Sequence, residues 1–189
     1  MFGSFSPAPV QAMPLTLVTA QLIIQGTVKT RLRRLTDVLN EPDITHLVLL
    51  DASFLEPGSR RLVARAAFAQ IQLSEILFTH ANGPTESGAE MRTPKQAVPA
   101  TLLTPPYTIE GQIHLAYESE LKIALEAYSG RFLPVTGARY WAYGVAESPN
   151  HVDLLVVNHA RAHVAVAAGV KWESEPVPSE GLGSLPNPW

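Results

Sequence analysis

The stretch LLVVNHARAHVAVA, residues 154–167, sets four side chains with chemical capacity close together: Asn158, His159, Arg161 and His163. His159 and His163 have the i, i+4 spacing of two metal ligands. That spacing aligns two imidazoles on one face only within a helix. Here the flanking runs Leu154–Val157 and Val164–Ala167 are apolar and rich in valine, which marks strands. The knot itself offers no carboxylate or thiolate to complete a metal site. We therefore read it as a tight turn between two strands. Asn158 suits that role, because its amide tolerates left-handed backbone and bonds to its own turn.

Other chemistry is sparse. Asp37, Asp43, Asp51, Glu110, Glu118, Glu120, Glu126, Glu147 and Asp153 are spaced without convergence, whereas acid–base work needs carboxylates that meet. Asp51 follows the apolar run LVLL and is read as a strand-end turn. An enzyme with a site between two halves of the chain, using Asp51 or His159, is the weakest functional reading. GLGSLP lacks the strand before it and helix after it that a phosphate loop requires. GxSxG and HExxH are absent. The chain has no cysteine, which excludes disulfides, thiolate metal sites and cysteine nucleophiles. No catalytic residue, metal or cofactor is assigned.

Binding chemistry is better represented. Arg31, Arg33 and Arg34, beside Lys29, can meet phosphates, and such binding weakens steeply with salt. With Asn158, His159, Arg161 and His163 they form the candidate anion or nucleic-acid set. The simpler reading of the arginines is a solvated helix face. Tyr140, Trp141 and Tyr143 cluster as candidate partner-binding residues, since interface centres favour such aromatics. The tail WESEPVPSEGLGSLPNPW adds Leu185 and Trp189 as a peptide that docks into a neighbour's groove.

The elements that must position these residues follow from composition and pattern. Hydrophobic residues make up 46% of the 189 positions and charged residues only 16%. The charged fraction is well below the usual quarter, so the chain buries much of itself or covers apolar surface with a partner. A net charge of −3 gives no global pull toward nucleic acid or acidic membrane. Neither a signal peptide nor a membrane-length apolar run is evident, and a cytoplasmic location is expected.

Sixteen prolines concentrate at both ends and in ANGPTESGAEMRTPKQAVPATLLTPP, where they resist helix and sheet. This divides the chain into an N-terminal arm (1–14), a first β-rich repeat (15–80), a Pro-rich linker or strap (81–106), a second β-rich repeat (107–172) and a Pro-rich tail (173–189). The halves share a pattern. LTLVTAQLIIQGTV, RLRRLTDVLN and THLVLLDASF match YTIEGQIHLAY, SELKIALEAYS and RFLPVTGARYWAYG as strand, short helix, strand. FAQIQLSEILF then matches VVNHARAHVAV as strand, polar turn, strand. Thr30 and Ser119 are expected helix caps. Leu32, Leu35 and Leu39 in one helix, and Leu121, Ala124, Leu125 and Tyr128 in the other, are the expected buried stripes. Asn40 and Gly130 stand where the helices should stop. The fold class expected is mostly β with short helices (α+β), as two tandem small β-barrel-like repeats, each strand–helix–strand–strand–strand.

A strand, a short polar knot and a strand closing a small bent barrel resemble the second signature of Sm-like proteins, over about fourteen residues per half. That family's barrels often form rings, and some bind RNA at the knot. The chain is also similar to uncharacterised bacterial small-barrel domains that pair a segment like RLTDVLN with a strand like RFLPVTGA. The first half keeps the former and the second the latter, as a diverged duplication would leave them.

The leading expectation is a non-enzymatic structural or assembly protein. It packs into a homo- or hetero-oligomer through its β-rich repeats and extended Pro-rich arms. A half of about 65 residues is marginal alone and gains by packing on others. An Sm-like RNA- or nucleotide-binding module is the alternative.

Overall fold

The computed structural model describes residues 9–83, 95–116, 121–143 and 148–165. The chain runs β1 (Gln11–Thr19), β2 (Ile23–Thr30), α1 (Leu35–Asn40), β3 (His46–Leu55), β4 (Leu62–Gln72) and β5 (Ile76–Ala81). It continues as β6 (Lys95–Thr104), β7 (Tyr107–Ala116), α2 (Leu121–Glu126), β8 (Phe132–Ala142), β9 (Asn150–Asn158) and β10 (His163–Ala165). A single 3-10 turn separates β4 from β5 (Leu73–Glu75) and β9 from β10 (His159–Arg161). The described residues are thus mostly β with two short helices. All ten strands join one antiparallel sheet in the order β10-β6-β7-β8-β9-β5-β1-β2-β3-β4.

Two expected strands are hairpins. LTLVTAQLIIQGTV, read as one strand, is β1 and β2 paired from Gln11 opposite Thr30 to Val18 opposite Ile23. Thr19 folds the chain back: its hydroxyl accepts from the Gln21 and Leu22 amides at 3.3 and 3.0 Å. The segment KQAVPATLLT, expected to be part of a strap, is β6 and pairs with β7 along its length. Its proline did not exclude it from the sheet. Among the described residues the pairing with β10 reaches only to Thr101, so Pro99 has no described partner on that side, where proline is tolerated. The hairpin turn falls at Pro105 and Pro106, anchored by the Tyr143 amide donating to the Pro106 carbonyl at 2.8 Å.

The first helix is shorter than the pattern suggested. It begins at Leu35, with Arg34 as its cap residue, so Arg31–Arg34 form the approach and not a helical face. Thr30 makes a local turn instead of capping the helix, its hydroxyl accepting from the Leu32 amide at 3.0 Å. Leu35, Val38 and Leu39 are the buried residues, and Leu32 is only partly covered. In α2, Ala124 is buried and Leu125 and Tyr128 pack beside it on the core. The expected cap Ser119 lies outside the described residues.

The core has two clusters, and each borrows from the other half of the chain. One gathers Leu15, Leu17, Ile24, Leu35, Leu39, Leu49 and Ile76 of the first half with Phe132 and Val156 of the second. The other gathers Ile109, Ile113, Leu133, Val135, Tyr140 and Leu155 of the second half with Ile23, Leu77 and Phe78 of the first. The middle strands β1, β5 and β9 feed both clusters, so both their faces are covered. That explains their continuous apolar runs, LTLV, ILF and LLVV, in place of alternation.

Phe78 is the deepest of these crossings. Its ring is fully buried, 5.1 Å from Tyr107 edge to face and 4.9 Å from Tyr140. Truncating a buried phenylalanine typically costs ~3–5 kcal/mol, and loss of the two ring contacts adds to this. Phe78→Ala should therefore lower the urea midpoint of the whole chain while leaving one cooperative transition. Two separated transitions, with the second half unaffected, would show that the halves do not share a core.

Candidate functional site: the joint between the halves and the outer strand edges

The two halves meet where β5 runs antiparallel to β9, with Phe78 opposite Val157 and Thr79 opposite Val156. The backbone pairing is short, and polar side chains reinforce it. Asn158, 3% exposed, donates through Nδ2 to the Leu73 and Ile76 carbonyls at 3.2 and 2.9 Å. Its Oδ1 accepts from the Ala160 amide at 3.2 Å. One side chain thus holds the 3-10 turn of the first half and starts that of the second. Arg161 donates to the Ser74 carbonyl at 3.0 Å, and Arg131 to the Ile44 carbonyl at 2.6 Å. Asn40 makes a paired bond to the Phe132 backbone, donating to its carbonyl at 2.9 Å and accepting from its amide at 2.7 Å.

Of the polar knot, Asn158 and Arg161 are therefore bonded across the joint, whereas His163 lies opposite Leu103 of β6, so the four are not gathered into a cage. The 3-10 turn spans His159–Arg161 and His163 already lies in β10, so the two histidines do not share a helical face. His159 sits edge-on to the Tyr128 ring at 5.5 Å. Burial pushes the Tyr128 hydroxyl up to about 12, with the Asn40 bond opposing. Among the described residues no group of three or more His, Asp or Glu side chains could hold a metal ion. Arg31 and Arg33 are exposed between β2 and α1, and Arg34 is partly buried there.

Of the candidate partner-binding aromatics, Tyr140 is 5% exposed and belongs to the core, packed on Phe78 and Tyr107. Trp141 is half-buried, and Tyr143 is exposed at the end of β8. Leu185 and Trp189 lie outside the described residues, as does the tail 173–189.

Asp51 is not at a strand end. It lies inside β3, with φ of 51° in the left-handed region. The β2–β3 register shifts beside it, which makes it part of a bulge. Aspartate is one of the few residues that visit this region readily. It borders a shallow recess with Ser53, Arg65 and Ala67. A second recess lies beside Gly137, His151 and Asp153, and Ala81 and Gly83 at the end of β5 complete it.

Comparison with protein-family models, curated proteins and solved structures finds no match for this chain. No helix among the described residues is long and apolar enough to cross a membrane.

The surface feature that sequence reasoning missed is the outer edge of the sheet. β4 carries one charge, Arg65, in eleven residues. It exposes Leu62 at 44%, Val63 at 53% and Phe68 at 70%, with Val48 of β3 alongside. Edge strands are normally blunted by lysine, proline or bulges; β4 has a bulge at Val63, where the register to β3 shifts, but no lysine or proline. The signal was present in LVARAAFAQIQ, whose alternation is weak and whose charge is low, but a buried strand reads the same way.

Two outcomes are expected at the joint. Asn158→Ala leaves the Ile76 carbonyl without its donor in a buried setting and should cost about 1–3 kcal/mol in denaturant titration. The second concerns pH. Burial holds the His80 imidazole below its ordinary 6.5, with the Arg60 charge pressing the same way against the Ala81 carbonyl. Burial, then the Lys95 charge, does the same to His114. Both residues bind protons more readily once unfolded. Their contribution to stability is thus full above 6.5 and is lost as pH falls through the window beneath it. Unfolding free energy should drop on acidification through that window, and His80→Gln should flatten the slope.

Proposed function

We propose that this chain is a non-enzymatic assembly protein: two tandem small β-barrel-like repeats that pack into a homo- or hetero-oligomer. Matched positions support the repeat reading. Gly26 and Gly111 each lie against the strand after the helix, where a Cβ would come within 3.0 Å of the Leu50 carbonyl and 2.9 Å of the Thr136 carbonyl. One residue beyond each of those carbonyls stands a left-handed position, Asp51 at 51° and Gly137 at 55°. The amide that opens each 3-10 turn bonds back identically, Leu73 to Thr45 and His159 to Arg131, both at 2.9 Å. Each repeat would be strand–strand–helix–strand–strand–turn–strand, one strand longer than the order read from sequence.

The observation that carries the assembly reading is the outer edge of β4, apolar, nearly uncharged and paired by no other described strand. Exposed apolar surface of this kind marks interaction sites. A chain that already joins two half-sheets edge to edge has the means to join more. The parts of the N-terminal arm (1–14), the strap (81–106) and the tail (173–189) that lie outside the described strands would serve as arms. The nucleotide-binding alternative loses support because Asn158, one of its residues, is buried and fully engaged.

Light scattering of the purified full chain should give a mass above the 20.5 kDa of one copy. A strict monomer across micromolar concentrations, with the arms mobile by NMR, would overturn the reading.

A further inference from the structure

We propose that copies of this chain join head to tail, with β4 of one copy lying antiparallel to β10 of the next, as β9 lies against β5 within the chain. This rests on the assembly reading and names its joint.

The strands correspond. β4 and β9 each precede the 3-10 turn, and β5 and β10 each follow it. β4 pairs inward with β3 as β9 does with β8, and β10 pairs with β6 as β5 does with β1. Among the described residues β4 and β10 are the two outer strands. The internal register then transfers directly. Phe78 opposite Val157 becomes Val164 opposite Ile71, and Thr79 opposite Val156 becomes Ala165 opposite Gln70.

Three side-chain observations fit. Leu50 pairs with Phe68 as Thr136 pairs with Leu154, so Phe68 and Leu154 are equivalent. Leu154 packs against the core of the other half, whereas Phe68 is 70% exposed. A neighbour seated on β4 would give Phe68 the environment Leu154 already has. Gln72 occupies the position of Asn158, immediately before the 3-10 turn, and offers the same amide donor to a neighbour's turn. The recess beside Asp51 and Arg65 corresponds to the one beside Gly137 and His151. The latter is walled by the end of β5, and the former has no described residue on that side.

The joint is heterologous, because β4 and β10 are different surfaces. Repeating it yields a ring where the rotation closes and a filament where it does not.

The absence of cysteine makes cross-linking clean. Directly opposed residues of antiparallel strands have Cα atoms ~4.5–5.5 Å apart, within disulfide reach. Full-length chain carrying Gln70→Cys and Ala165→Cys should form, on mild oxidation, a covalent ladder of multimers on non-reducing gels. Either single variant should not. Phe68→Lys alters an exposed side chain, so circular dichroism should stay unchanged while self-association weakens by at least about thirtyfold. An oligomer that keeps its mass in Phe68→Lys and gives no ladder would overturn this joint and leave the assembly reading standing. A monomeric native chain would overturn both. A dimer cross-linked through Gln70→Cys alone would show β4 pairing with itself and would also overturn the joint.

Discussion

A β-strand cannot end a sheet without leaving a row of backbone donors and acceptors to water or to a partner. Everything in this molecule turns on where that obligation is met. At the middle of the chain it is met internally, by β5 against β9. Yet only two residue pairs define that ladder, too few for backbone bonds alone to hold two half-sheets together. Apolar side chains supply the rest. Phe78 enters the second core while Phe132 and Val156 enter the first. Neither half completes its core without residues from the other.

The polar side chains at the joint solve a different problem. A 3-10 turn closes few of its own bonds and leaves carbonyls that must find donors. Asn158, Arg161 and Arg131 donate to carbonyls at or near these turns from the opposite half. Apolar packing tolerates sliding, but an amide that must reach two carbonyls at once does not. The staples therefore set register, and the crossed core sets strength. Two of the knot's four polar side chains, Asn158 and Arg161, are thereby taken up in satisfying backbone.

What could be read from residues alone followed from local pattern. The β-rich class, both short helices and the strand–turn–strand reading of VVNHARAHVAV rest on valine-dense runs and helical spacing that act within a few residues. The two hairpins were hidden for opposite reasons. LTLVTAQLIIQGTV carries no Gly or Pro at its turn, and Thr19 makes the reversal with its own hydroxyl. KQAVPATLLT carries a proline, which argued against a strand that it nonetheless occupies. Helix α1 loses its first turn because the buried set is Leu35, Val38 and Leu39, a choice made by the sheet beneath it. Asn40 and Arg131 act on residues far away in sequence, which no window-based pattern can see. Tyr140, read with Trp141 and Tyr143 as an interface anchor or as strand packing, is core, because β8 lies between two strands and its alternation points that ring at Phe78.

The bulges in β3 and β8 connect this packing to the outer edges. A bulge bends its strand and increases local twist, and here each lies beside a closely packed glycine, where an added Cβ would stand 3.0 Å from the Leu50 carbonyl or 2.9 Å from the Thr136 carbonyl. A Cβ at Gly111 would stand 2.6 Å from the Val135 side chain, so its hairpin approaches β8 as nearly as backbone permits. Gly26 does the same against Leu49 and Leu50. Close approach at these points draws β2 toward β3 and β7 toward β8, and it fixes where the following strand must run. In the second half that strand is β9, which meets β5. In the first half it is β4, positioned by the same bend, with Phe68 outward and no described strand beyond it. An apolar outer strand fixed in this way is the kind of edge that other chains can pair with.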